Sequence, residues 1–174
     1  MIVGFHHLGI VVPDLIRARN FYEGVLEFEF MRDYEWDPSW IETVEKIIGI
    51  KNPVATAAIL RGPNCFLELF EYHSPVPQGD PLARRACDYG VAHVSFQVKN
   101  ILEVYNRLRE AGGIVHNPPV SVQDGYSIYC RDPFGNIIEL MELGTDEPDF
   151  DLIETKLLPI SLLERIGARS ETAR

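Results

Sequence analysis

Two short patterns that carry chemistry occur twice in this chain, in the same order. One is a strand bearing a histidine, Phe5-His6-His7-Leu8-Gly9-Ile10-Val11-Val12 and then Val91-Ala92-His93-Val94-Ser95-Phe96-Gln97-Val98. The other is a strand bearing a glutamate, Phe66-Leu67-Glu68-Leu69-Phe70-Glu71 and then Ile137-Ile138-Glu139-Leu140-Met141-Glu142. Imidazole nitrogen and carboxylate oxygen are good ligands for zinc, nickel, cobalt, manganese and ferrous iron. The order His, Glu, His, Glu therefore points to a duplicated module that supplies two metal ligands per copy.

Strand alternation selects within each pattern. Alternate side chains share a face, so Phe66, Glu68 and Phe70 lie together. A charged Glu68 between two phenylalanines is costly to bury unless paired or bound to a cation, and the same holds for Glu139 between Ile137 and Met141. Glu71 and Glu142 fall on the opposite faces, near strand ends, where solvation is easier. His6 competes with His7, but parity puts it on the other face. His7 is also the residue that aligns with His93.

The elements that must position these residues repeat as well. Residues 2–12 read as a strand ending at Pro13-Asp14, with Asp14 as N-cap of a helix over about 14–27. A strand follows over roughly 28–34. Residues 35–51 break the pattern with Trp36, Trp40, Ile41, Val44, Ile47 and Ile48 at mostly helical spacing, a short helix or lid. Strands are expected over 54–61 and 64–72. A proline-rich linker follows, with a short helix over about 81–88.

The second half has a strand over 90–98, a helix from Lys99-Asn100 to about Ala111 ended by Gly112-Gly113, and a strand beginning at Ile114-Val115. A hairpin of Tyr126–Arg131 with Asn136–Leu143 closes at Asp132-Pro133-Phe134-Gly135. His7 and His93 lie 86 residues apart, Glu68 and Glu139 lie 71 apart. The 15-residue difference is extra length in the first copy, at the Trp-rich segment. Such an internal repeat outranks local cues. The expected fold is α+β, with paired βαβββ modules. The first spans 1–74 with its insert at about 35–51, a linker spans 75–89, the second module spans 90–143, and a C-terminal extension spans 144–174. In that extension Leu157, Leu158, Ile160, Leu162, Leu163 and Ile166 suggest packing on the domain or on a partner subunit.

Bulk properties narrow the function classes. The 174 residues are 46% hydrophobic and carry a formal net charge of −10. So acidic a chain is a poor partner for nucleic acid or anionic membranes. Three widely spaced cysteines, Cys65, Cys87 and Cys130, form no CxxC pair and read as reduced, mostly buried thiols. With no signal peptide and no run of about 18 apolar residues, a cytoplasmic location is expected.

The chain resembles the vicinal oxygen chelate superfamily, which includes glyoxalase I, methylmalonyl-CoA epimerase, extradiol dioxygenases and bleomycin-resistance proteins. The matching segments are His7-Leu8-Gly9-Ile10 with Val12-Pro13-Asp14, Asn20-Phe21-Tyr22 leading to Leu26, Phe66-Leu67-Glu68-Leu69, Val91-Ala92-His93-Val94, and Asp132-Pro133-Phe134-Gly135-Asn136 leading to Ile138-Glu139. The resemblance implies curved mixed sheets around a divalent metal, whose ligands by position are His7, Glu68, His93 and Glu139. It implies a small-molecule substrate and a homodimer, with the metal site built within one chain or across two.

Two histidines and two glutamates leave a site near neutral around a divalent cation, with open positions suited to catalysis. By analogy with glyoxalase-like members, the activity implied is a metal-dependent lyase or isomerase of glyoxalase or epimerase type. It would chelate adjacent substrate oxygens and move a proton through an enediolate or enolate, with Glu139 or Glu68 as base. An Fe(II) extradiol dioxygenase is the first alternative, although Glu68 as a fourth ligand argues against it. A metal-free small-molecule binding or resistance protein is the second. Tyr34, Trp36 and Trp40 either line a pocket for an apolar or aromatic substrate or pack a longer helix.

Overall fold

The computed structural model describes residues 2, 4–36, 38–145 and 150–154. Its internal contacts divide the chain into two compact units, Met1–Asp80 and Pro81–Arg174.

In the first unit, β1 (His7–Val11) leads into α1 (Leu15–Leu26). Asp14 is extended, and its side chain accepts from the Arg17 backbone N–H, satisfying a donor that the first helical turn leaves free. Glu27 adopts the left-handed conformation, and Phe28 returns its N–H to the Tyr22 carbonyl, which closes the helix. Then come β2 (Glu29–Glu35), a 3-10 turn at Pro38–Trp40 running into α2 (Ile41–Ile48), β3 (Val54–Arg61) and β4 (Phe66–Ser74). The strand order is β1-β4-β3-β2, with β1 parallel to β4 and the other pairs antiparallel.

Alternation divides this sheet cleanly. Leu67 and Leu69 of β4 and Ala58 and Leu60 of β3 are buried, as are Ala18, Phe21, Tyr22 and Val25 of α1, which packs on these two strands. Burying each large apolar side chain contributes about 1.5–3 kcal/mol. The other face carries His7, Glu68, Phe70 and Tyr34, because the pairings Gly9↔Glu68, Ile59↔Glu68, Arg32↔Ile59 and Tyr34↔Ala57 keep these residues in phase.

The second unit repeats the plan. It contains β5 (Val94–Gln97), α3 (Ile101–Glu110), β6 (Val120–Val122), β7 (Gly125–Arg131) and β8 (Ile137–Glu142), in the order β5-β8-β7-β6 with β5 parallel to β8. Ile101, Val104, Tyr105 and Leu108 of α3 are buried, as are Ile128, Ile138 and Leu140 of the sheet, and α3 packs on β8. Each unit is thus a βαβββ module with one parallel and two antiparallel pairings.

The second pair of glutamates has a structural role that parity alone did not disclose. Glu71 accepts from the Leu15 backbone N–H at 2.8 Å, at the start of α1. Glu142 accepts from Asn100 and Ile101 backbone N–H groups, each at 2.9 Å, at the start of α3. Asn100 itself is left-handed and makes no side-chain cap, so the carboxylate from β8 caps this helix instead.

Asp132 is fully buried in the turn between β7 and β8. It accepts from the backbone N–H groups of Phe134 and Asn136 and from Asn136 Nδ2. Gly135 has φ +98°, and a Cβ there would lie 2.9 Å from backbone atoms of Pro81 and Leu82, so the turn requires glycine.

Several expectations are corrected. Residues 81–88 form turns, not a helix, and Arg131 holds them by donating to the carbonyls of Pro81 and Arg84. Ile114 makes only an isolated bridge to Arg131, and the strand expected there forms at β6, after Pro118 and Pro119. Cys87 is exposed, Cys65 half-buried, and only Cys130 fully buried. The apolar residues 157–166 expected to pack as an extension lie outside the described residues. Within the described part of that extension, the Leu152 N–H donates to Gln97 Oε1 on β5 at 2.8 Å. Among the described residues no helix is long and apolar enough to cross a membrane.

Candidate metal centre

In the first unit His7 begins β1 and Glu68 stands in β4, and His7 Nε2 lies 3.3 Å from Glu68 Oε2. The other carboxylate oxygen, Oε1, accepts from the Tyr34 hydroxyl at 2.5 Å. Burial, that hydrogen bond and the Glu68 charge all raise the Tyr34 phenol far above its ordinary value, so it stays a donor throughout the physiological range. The Glu68 side chain is only 19% exposed.

In the second unit His93 immediately precedes β5 and Glu139 stands in β8. His93 Nε2 lies 3.1 Å from Glu139 Oε2, and Glu139 Oε1 accepts from the Ser127 hydroxyl at 2.8 Å. The Tyr129 ring packs over the His93 ring with centroids 4.5 Å apart. Burial and the Glu139 charge raise the Tyr129 phenol. The same three-part arrangement therefore occurs twice. A hydroxyl holds Oε1, from β2, two strands away, in the first unit and from the adjacent β7 in the second, and an imidazole faces Oε2.

The donor set fits a divalent cation. Two donors bound about 2.1 Å from one cation, at octahedral or tetrahedral angles, lie about 3.0–3.4 Å apart. Both His–Glu separations fall in that span. His93 Nδ1 is buried with no hydrogen-bond partner among the described residues, so the polar contacts of this ring are those of Nε2, with Glu139 Oε2 and the Tyr129 hydroxyl. Each pair supplies two donors. Among the described residues no three His, Cys, Asp or Glu side chains gather as a metal-binding group.

His6 departs from the parity argument. The strand begins only at His7, so alternation does not govern the residue before it. His6 stacks on Phe66 with ring centroids 5.2 Å apart and sets its Nδ1 2.8 Å from His7 Nδ1. One of these two rings must carry the shared proton, and that contact orients His7.

Of the three aromatics singled out in and before the insert, Tyr34 holds Glu68. Trp36 packs against Phe70 and Tyr72, with ring centroids 5.8 and 5.4 Å away. Both of those rings share the Glu68 face by alternation. Trp40 is 62% exposed.

Sequence reasoning did not find Ser127 and Tyr129. A signal existed, because the hairpin closed at Asp132–Gly135 sets the register that puts Tyr129 opposite Glu139.

A paired βαβββ fold with a histidine and a glutamate on the open face of each module defines a class. The sequence matches the family described as the Glyoxalase/Bleomycin resistance protein/Dioxygenase superfamily over residues 4–140, and the chain belongs to that superfamily. Among its relatives is a protein named 2-epi-5-epi-valiolone epimerase from an Actinomyces species, 30% identical over 162 residues, covering 89% of this chain and 87% of the relative. A glyoxalase family protein from Bacillus cereus superposes with a TM-score of 0.74 at 22% identity, covering 83% of this chain and 97% of that one. The fosfomycin resistance protein FosX from Listeria monocytogenes, as a mutant complexed with Mn(II) and 1S,2S-dihydroxypropylphosphonic acid, superposes with a TM-score of 0.57 at 22% identity. That match covers 87% of this chain and all of the other.

Proposed function

We propose that this protein is a metal-dependent isomerase or lyase, of epimerase type, which moves a proton on a carbon next to a carbonyl. One observation carries the proposal: an imidazole–carboxylate pair occurs at equivalent places in both modules, as His7–Glu68 and His93–Glu139, and each carboxylate is held by a hydroxyl from another strand, Tyr34 of β2 in the first and Ser127 of β7 in the second. His7, Glu68, His93 and Glu139 would be the ligands of a divalent cation (zinc, nickel, cobalt, manganese or iron), two from each module, given by one chain or by two chains of a homodimer. The relative named as an epimerase supports stereochemical inversion as the reaction.

Two carboxylates offset the charge of a divalent cation. When bound, the cation supplies Lewis acidity to two neighbouring oxygens of a small-molecule substrate. The remaining work belongs to the chain. Tyr34 and Ser127 fix the carboxylates through Oε1, so that Oε2 alone faces its histidine. Glu139 or Glu68 takes the proton from the substrate carbon and returns it. Their low exposure keeps bulk water from competing for that proton.

The test is metal analysis of the purified protein, then equilibrium dialysis of stripped protein against each of the five cations. One cation per chain is expected, with Glu68→Ala and His93→Ala each reducing uptake. Loaded protein in D2O should introduce deuterium next to the carbonyl of a substrate hydroxyketone. Absence of stoichiometric uptake with every cation, or full uptake by Glu68→Ala, would overturn the proposal.

A further inference from the structure

The outer edge of β7 is only partly covered. Ile114 and Arg131 exchange both backbone hydrogen bonds, at 2.9 and 2.8 Å, and the next pairing toward β6 is Val120 with Ser127. Residues 115–119 therefore arch past residues 128–130, five against three. Pro118 and Pro119 lie in the arch and cannot donate to a ladder. Beneath it opens a cavity of about 600 Å³, within the range of small-molecule sites.

Its chemistry is uneven. Ile114, Val120, Val122 and Ile137 give it apolar walls, and His116 and Asn117 add polar groups from the arch. Asn117 Nδ2 is already bonded to the Pro118 carbonyl at 2.6 Å, which leaves its side-chain oxygen as an acceptor. The strand edge adds a further pair. Arg131 turns its N–H and C=O outward to Ile114, so alternation turns those of Tyr129, two residues earlier, to the same edge. No described backbone group meets them there.

The lining holds no carboxylate, and its one guanidinium, Arg131, is committed to the backbone carbonyls of Pro81, Gly135 and Arg84. Two wall residues also belong to the candidate centre: Ser127 donates to Glu139, and the Tyr129 ring covers His93.

We infer that this arch is the recognition subsite for the non-reacting part of the substrate, and that it takes a small uncharged molecule bearing hydroxyl or carbonyl groups on a hydrocarbon frame. Phosphate, phosphonate and coenzyme A conjugates find no free cation in it. Calling the occupant the substrate rests on the function proposed above; occupancy of the cavity does not.

The test is NMR titration of the ¹⁵N-labelled full-length protein, without metal, by 2-hydroxycyclohexanone and separately by coenzyme A. The first should shift the amides of Val115, His116, Asn117 and Tyr129 saturably, and the second should leave them unmoved. Val122→Trp fills the cavity from an exposed edge-strand position, and Asn117→Ala removes an acceptor. Each should weaken 2-hydroxycyclohexanone binding, the first by about tenfold or more, while zinc uptake stays at the wild-type level. Absence of shifts, shifts unaffected by both substitutions, or equal binding of coenzyme A would overturn the inference. Failure of wild-type zinc uptake with the shifts intact sinks the proposed function alone; normal uptake without shifts sinks this inference alone.

Discussion

Replacing Glu142 with alanine should destabilise the second module more than Glu71→Ala destabilises the first, although the two residues are equivalent in the repeat. Glu142 accepts two backbone N–H groups, Asn100 and Ile101, and α3 has no other side-chain cap. Glu71 accepts one, Leu15, and α1 keeps the Asp14 cap on Arg17. Ile101 is buried, so its N–H gains little from water when the carboxylate is gone. A hydrogen bond to a charged group contributes about 1.5–3 kcal/mol, and a lost cap costs about 0.5–2 kcal/mol. Partial solvation of the Asn100 end puts Glu142→Ala at about 2–3 kcal/mol and Glu71→Ala at about 1 kcal/mol. In a chain of this size the first corresponds to a fall in Tm of about 4–12 °C. Urea denaturation followed by far-UV circular dichroism measures both, with Glu142→Gln as a control that keeps one acceptor and falls between wild type and alanine. Equal losses at the two positions, or a loss below about 0.5 kcal/mol at Glu142, would refute the capping argument.

Tyr34→Phe removes the donor to Glu68 Oε1 and should weaken cation binding about 10–100-fold with the fold intact, as calorimetric titration of zinc can show; unchanged affinity would remove Tyr34 as a positioning residue. Iodoacetamide at pH 8 should label Cys87 first and Cys130 last, because Cys87 is exposed and burial with the neighbouring Asp132 charge pushes the Cys130 thiol up to about 12; mass spectrometry of peptides reads the order. The same shift has a consequence for stability. The unfolded thiol ionises near its ordinary 9.0 while the folded one does not, so this contribution is complete below pH 9.0 and is lost as pH rises towards about 12. Cys130→Ala should flatten that alkaline decline. Light scattering should give a dimer, and a monomer would discard the option of a centre shared between two chains.

Strand parity made much of this centre legible in advance, and its limits are physical. Parity put Glu68 and Glu71, three apart, on opposite faces, and Glu139 and Glu142 likewise. The structure finds the first of each pair facing a histidine and the second at a helix start. The capping role stayed hidden because its partners are 56 residues away for Glu71 and 41–42 for Glu142, contacts that only the parallel β1·β4 and β5·β8 pairings create. His6 and the segment around Ile114 were misjudged for the converse reason. Alternation does not reach His6, which precedes the strand beginning at His7, and the β-branched pair Ile114-Val115 marks an isolated bridge while the strand itself begins at Val120.

The spacing Glu-x-x-Glu thus gives each module an economy of parts. One β-strand delivers a carboxylate to the open face and, on its other face, a carboxylate to the helix that follows the histidine strand. In the second module, Glu142 ties β8 to the start of α3, while Val98 N–H bonds the Met141 carbonyl. The strand carrying Glu139 and the segment carrying His93 are fastened to each other at that end. Loosening the cap should therefore be felt at the centre. Glu142→Ala should lower affinity for zinc even at temperatures where the module remains folded, whereas Glu110→Ala, exposed in the last turn of α3, should not. Equal zinc affinity in wild type and Glu142→Ala would show that the parallel β5·β8 pairing alone suffices to hold His93 against Glu139.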